Sequence, residues 1–121
     1  MAQIKNYRDL IVWQKAIDLV VKVYQLTEQF PRSEQYGLSS QMRRCSVSIP
    51  SNIAEGSRRG SRKDYCHFLN IAFGSGAELE TQLDIAKRLP NTSNLKYSEI
   101  DSLLDEVMRI MNTIISKLKI S

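Results

Sequence analysis

Apolar side chains recur along this chain at steps of three and four, and strand-type alternation of useful length does not occur. That spacing predicts four helices. The first runs from about Asp9 to Gln29. Its polar positions Gln14, Lys15, Asp18, Lys22, Gln25 and Gln29 form one narrow stripe. Leu10, Ile11, Trp13, Ile17, Val20, Val21 and Tyr24 fill an apolar arc wider than a surface helix needs. Phe30-Pro31 ends it, because the residue before a proline is pushed away from the α region.

The second helix is predicted to open at Ser33, a good N-cap. Leu38, Met42, Cys45, Ile49, Ile53 and Gly56 form its continuous seam. Pro50 lies on this helix but off the seam, where it removes one backbone bond and crowds the Ser46 carbonyl. A kink near Ser46–Pro50, eased by the Ser46 or Ser48 hydroxyl, is therefore expected; the alternative is a break with a restart capped by Ser48. Gly56 or Gly60 closes the element.

Ser61-x-x-Asp64 is a capping-box variant that opens the third helix. Its inner face is Tyr65, Phe68, Leu69, Ala72, Ser75, Gly76, Leu79, Leu83 and Ala86. Gly74 and Gly76 each cost a helix about 1 kcal/mol against alanine, so close backbone approach is expected there. Pro90–Asn94 is a turn cluster. A fourth helix from Ser98, with Asp101 as a second cap signal, to Lys119 carries the cleanest apolar stripe. The predicted fold is all-α, an up-down-up-down four-helix bundle with a kinked second helix, forming a single domain over residues 1–121.

Charge adds polarity to this picture. The net charge is +4, but residues 32–63 hold about seven basic and two acidic side chains, while residues 64–106 hold about three and eight. Such asymmetry can steer an anionic partner, or bring the positive patch of one subunit to the negative patch of the next. Cys45 and Cys66 lack metal-type spacing and read as reduced thiols. No secretory leader pattern or membrane-length apolar window is found, so a soluble cytoplasmic protein without membrane contact is expected.

Six cations stand out: Arg43, Arg44, Arg58, Arg59, Arg62 and Lys63. They are candidate phosphate contacts near the corner between helices two and three, and the alternative is a solvated loop face with intersubunit ion pairs. Arg43 and Arg44 are adjacent on a helix and cannot share one direction, so at most one should face the groove. Aromatic interleaving is thin, which favours recognition of backbone or shape over base reading. Asn52, Glu55 and Glu78 are read as a structural polar network inside the bundle or at a subunit seam, with Arg44 a candidate fourth member. His67 is the only histidine; with Asp64 it falls far short of a metal ligand set, and no catalytic triad can be built around it. No metal, cofactor or catalytic residue is assigned, and the chain is not expected to be an enzyme.

Several strings carry a family resemblance. They are Leu10-Ile11-Val12-Trp13-Gln14-Lys15-Ala16, Phe30-Pro31 with Glu34, and Tyr36-Gly37-Leu38 with Gln41 and Arg43-Arg44. Ser48-Ile49-Pro50-Ser51-Asn52-Ile53-Ala54-Glu55-Gly56 and Ile71-Ala72-Phe73-Gly74-Ser75 with Glu78 complete the set. Together they resemble the bacterial four-helix-bundle family of 23S rRNA intervening-sequence proteins, over about residues 7 to 89; the fourth helix matches only as an apolar helix. That family is similar to the accessory protein of diversity-generating retroelements, a basic homopentameric barrel thought to bind nucleic acid and its reverse transcriptase. The resemblance implies a homopentamer of bundles and a nucleic-acid partner, RNA ahead of DNA, with a protein partner such as a reverse transcriptase also in view. A protein-interaction scaffold without nucleic-acid binding is the alternative.

Overall fold

Four long helices account for most of the chain in its computed structural model, which describes residues 6–120. Helix α1 spans Ile11–Glu28, α2 Leu38–Arg58, α3 Arg62–Arg88 and α4 Ser98–Ile120. Short 3-10 turns at Tyr7–Asp9 and Arg32–Glu34 precede α1 and α2. The described residues contain no strand. Each helix turns one stripe inward, and Leu19, Val23, Met42, Ile49, Ile53, Leu69, Leu79, Leu83, Val107 and Met111 meet in one continuous core. No helix among the described residues is long and apolar enough to cross a membrane.

The helix boundaries show which local signals prevailed. Ser33 does not cap α2. It lies in a 3-10 turn after Pro31, and α2 starts four residues beyond that turn's last residue, at Leu38. Gly37 (φ −105°, ψ −108°) supplies the change of direction, and the Glu34 carboxylate accepts the first helical N–H, that of Leu38, at 3.2 Å. Carboxylate capping from the preceding turn thus displaces the serine cap. At the far end Gly60 adopts φ +84°, the left-handed conformation that stops a helix without a Cβ penalty. Ser61 then caps α3 as its spacing indicates, its hydroxyl accepting from the Asp64 N–H at 3.0 Å. Ser98 is the first helical residue of α4, so the position before the helix falls to Tyr97, whose carbonyl accepts from the Asp101 N–H at 2.9 Å.

Helix α2 passes through Pro50 without a break, so the alternative restart at Ser48 is excluded. The Ser46 hydroxyl donates to the Arg43 carbonyl at 2.9 Å, inside the turn the proline disturbs. The Ser48 hydroxyl instead lies 2.8 Å from that of Ser75 on α3. The Asn52 amide donates to both the Ser48 carbonyl and its hydroxyl, at 2.8 and 2.9 Å. This small polar clasp joins α2 to α3, the most extensively packed helix pair in the molecule. Gly56 extends the same contact. A Cβ there would sit 2.8 Å from Phe68 Cβ and 3.3 Å from the Tyr65 carbonyl oxygen.

The two glycines of α3 differ from each other. Gly76 is buried, and any Cβ on it would run into the Met108 side chain of α4. Gly74 is exposed, with nothing within 4 Å of where a Cβ would lie. Close approach is therefore real at Gly76 and absent at Gly74 within one chain.

Candidate nucleic-acid interface

Alternating helix direction brings four chain segments to one end of the bundle: the start of α1, the end of α2, the start of α3 and the end of α4. Side-chain contacts confirm the convergence. The Arg58 guanidinium lies 5.3 Å from the Tyr7 ring centroid, tying the end of α2 to the turn before α1. Arg62 Nη2 donates to the Lys117 carbonyl at 3.3 Å, tying the start of α3 to the end of α4. Arg58, Arg59, Arg62 and Lys63 therefore share their end of the molecule with Arg8, Lys117 and Lys119, and all seven are exposed.

Carboxylates pair with several basic side chains along the bundle but with hardly any here. Lys15 pairs with Glu106 at 3.2 Å, Lys22 with Glu99 at 3.1 Å, Lys87 with Asp101 at 2.7 Å and Arg109 with Asp105 at 3.0 Å. At the basic end one ion pair forms among the described residues, Arg59 with Glu55 at 3.0 Å. Arg59 also stacks over Phe68, 5.0 Å from the ring centroid, so it is the most constrained cation of this group. Half-exposed pairs of this kind contribute little to stability, about 0–1 kcal/mol each. Their consequence here is electrostatic: they cancel charge along the sides of the bundle and leave the end positive.

Arg43 and Arg44 do not belong to that end. Fourteen residues separate Arg44 from Arg58 along α2, a rise of about 21 Å. The six cations that lie close together in sequence are thus two groups in space. Both Arg43 and Arg44 line a cleft between α1 and α2 rather than the corner between α2 and α3.

Asn52, Glu55 and Glu78 do not meet in one network within the subunit. Asn52 bonds to Ser48, Glu55 to Arg59, and Glu78 accepts from the Cys45 thiol at 3.7 Å. The i, i+4 partner on its own helix takes Glu55 away from Asn52, and α2–α3 packing puts Cys45 rather than Arg44 in hydrogen-bond contact with Glu78 and Gln82 of α3. Burial pushes the Cys45 thiol above its usual 9.0, with the neighbouring Glu78 acting in the same direction and the Gln82 amide opposing. His67 is exposed and packs edge-on to Phe68. No group of three or more His, Cys, Asp or Glu side chains able to hold a metal occurs among the described residues.

Arg8, Lys117 and Lys119 escaped the sequence reading because they lie about 50 residues from the cluster on either side. The signal was available in the predicted topology, since an up-down-up-down bundle must place the start of α1 and the end of α4 beside the α2–α3 turn.

Comparison with known proteins accords with this architecture. No match was found among curated proteins. A crystal structure from Bacteroides thetaiotaomicron VPI-5482, described as a protein with unknown function from the S23 ribosomal protein family, is similar at a TM-score of 0.79 and 25% identity. The alignment covers 90% of this chain and 98% of that one. The sequence also matches the model of the 23S rRNA-intervening sequence proteins over residues 8–113, which extends the likeness beyond the α1–α3 strings and through most of α4. A match over so much of the sequence means that this chain belongs to the 23S rRNA-intervening sequence protein family.

Proposed function

We propose that this protein is a non-enzymatic, cytoplasmic helical bundle that assembles with copies of itself and binds nucleic acid, RNA in preference to DNA, at its basic end. One observation carries the reading: Arg8, Arg58, Arg62, Lys63, Lys117 and Lys119 converge from four segments without carboxylate partners among the described residues. Cations so placed exchange condensed counterions for phosphates on binding. The end is poor in free aromatic faces, since Tyr7 is flanked by Arg8 and Arg58. It suits phosphates presented by a structured RNA rather than the reading of individual bases.

Self-assembly rests on a separate observation. Ile11, Val21, Ile71 and Ile85 are 41–62% exposed, and Gly74 leaves open space on the face of α3 that carries Ile71 and Ile85. A homopentamer, the state the family resemblance implies, would cover such faces and multiply the basic end into a ring. The same faces favour a second reading, a protein-interaction scaffold in which another protein, such as a reverse transcriptase, covers them.

The test is fluorescence anisotropy of a labelled RNA hairpin titrated with protein at rising salt. Expected is affinity that falls steeply with salt and that drops in the Arg58→Glu, Arg59→Glu double variant, whose helical content stays unchanged. Absence of binding at low salt overturns the nucleic-acid reading, and capture of a defined protein partner by the same preparation moves the assignment to the scaffold. Light scattering decides between monomer and pentamer.

A further inference from the structure

The cleft between α1 and α2 has the chemistry of a ligand site separate from the basic end. It is an open cleft of about 750 Å³, within the usual range for small-molecule sites. Three arginines line it, Arg32, Arg43 and Arg44, against a single carboxylate, Glu28. None of the three forms an ion pair among the described residues, whereas Lys15, Lys22 and Lys87 along the bundle sides all do. Like charges brought together without a counter-charge repel, and a bound anion relieves that repulsion.

Arg43 is held ready rather than left loose. Its Nε donates to the hydroxyl of buried Thr27 at 2.8 Å and its Nη2 to the Tyr24 carbonyl at 3.4 Å. Its guanidinium stacks over the Tyr24 ring, 4.5 Å from the centroid. A guanidinium has five N–H donors, so two are used in positioning and the remainder are available to an anion. Fixing the side chain beforehand removes much of the ordering cost of binding. Tyr36, 90% exposed, stands on the cleft wall with its ring free. A free aromatic face in the same cleft as three guanidinium groups matches a ligand that carries a planar ring and a phosphate together.

We propose that the α1–α2 cleft binds a nucleoside phosphate, with its phosphate on Arg43, Arg44 and Arg32 and its base on Tyr36. The ligand is either a free mononucleotide or an unpaired nucleotide within a strand, since the chemistry presented to the cleft is the same. This goes beyond the reading of the basic end and does not depend on it, because about 21 Å separates the two groups of arginines on α2.

Calorimetric titration of the full chain with adenosine monophosphate, inorganic phosphate and a single-stranded oligoadenylate tests the site. Adenosine monophosphate is expected to bind about fivefold or more tightly than phosphate, the excess coming from stacking on Tyr36. Tyr36→Ala should abolish that excess, and Arg44→Ala should weaken both ligands about tenfold; both positions are exposed and leave the fold intact. Arg43→Ala should weaken them further. An oligoadenylate that binds more tightly than the monophosphate, with the same sensitivity to Tyr36→Ala, identifies a strand as the source; equal or weaker binding identifies the free nucleotide. No binding of the monophosphate, equal binding of monophosphate and phosphate, or indifference to Arg44→Ala overturns the site. The Arg58→Glu, Arg59→Glu variant keeps its affinity for the monophosphate if the cleft is the site, even where its RNA binding is lost. Intact RNA binding with no monophosphate binding removes the cleft and leaves the basic end standing.

Discussion

The two ends of α2 use the same side chain in opposite ways. At its C-terminal end Arg58 leans on Tyr7 across a helix junction, and Arg62 follows on α3, holding the last turn of α4. These cations are exposed at an end built by four segments. Nearer the N-terminal end Arg43 is bound to a buried threonine and stacked on a tyrosine inside a cleft. An exposed array of donors from several segments suits an extended polyanion, where many weak phosphate contacts add up. A fixed guanidinium in a concavity suits one small anion held in one orientation. Charge alone does not distinguish these cases; the partners that hold each arginine do.

The largest effect that would separate the two ends is on RNA affinity. Arg58→Glu with Arg59→Glu should lower hairpin affinity by roughly 30- to 100-fold at low salt and make the salt slope shallower by about 2, read by anisotropy. Arg44→Glu should change it by no more than about threefold, since its separation from the basic end is about twice the Debye length at 0.1 M salt. Equal losses in the two variants would mean that a single surface runs along α2.

The next effect is on stability, at the glycine beneath the basic end. Gly56→Ala forces a Cβ against Phe68 Cβ and the Tyr65 backbone, neither of which can swing aside. A loss of about 1–3 kcal/mol in urea unfolding is expected. Because Gly56 spaces α2 from α3, the variant should lose stability without losing charge, which isolates geometry from electrostatics at that end.

A smaller effect, of opposite sign, is expected at Gly74. Its open surroundings allow an alanine, so Gly74→Ala should stabilise the separated subunit by about 0.5–1 kcal/mol. Destabilisation instead would show that another chain closes on that face, and light scattering of the same variant would then show the assembly weakened.

The smallest effect lies in the core and loop packing, away from the arginines. Burial raises the Cys45 thiol above 9.0 and the Tyr65 and Tyr97 phenols above 10.0. The unfolded chain ionises these groups first. Their contribution is therefore whole below about pH 9 and is lost as pH rises through the folded-state values. A thermal midpoint that falls above pH 9, and slower labelling of Cys45 than of Cys66 by a thiol reagent, would bear this out.

Much of the fold was legible from periodicity. The seam from Met42 to Gly56 and the inner face from Leu69 to Ala86 are buried where the three-four spacing puts them. The Ser61 cap and the Gly60 stop were also readable, because both depend on a few adjacent residues. The start of α2 was not, since the choice between Ser33 and Glu34 as cap depends on how Pro31 and Gly37 turn the chain. The candidate site was half legible. Arg58, Arg59, Arg62 and Lys63 are local to one turn, but Arg8, Lys117 and Lys119 reach them only through the tertiary fold. The cleft was not legible at all, because Thr27, Tyr24 and Arg43 meet across two helices.

Periodic burial and capping are short-range and repeat every few residues, so the amino-acid order alone settles that this chain makes four helices and which stripe of each turns inward. Where charges gather, which glycine is crowded and which arginine is held are matters of distance between segments far apart in the chain. Only packing sets those distances: it cancelled the cations along the sides of the bundle and left others uncancelled at its end and in its cleft.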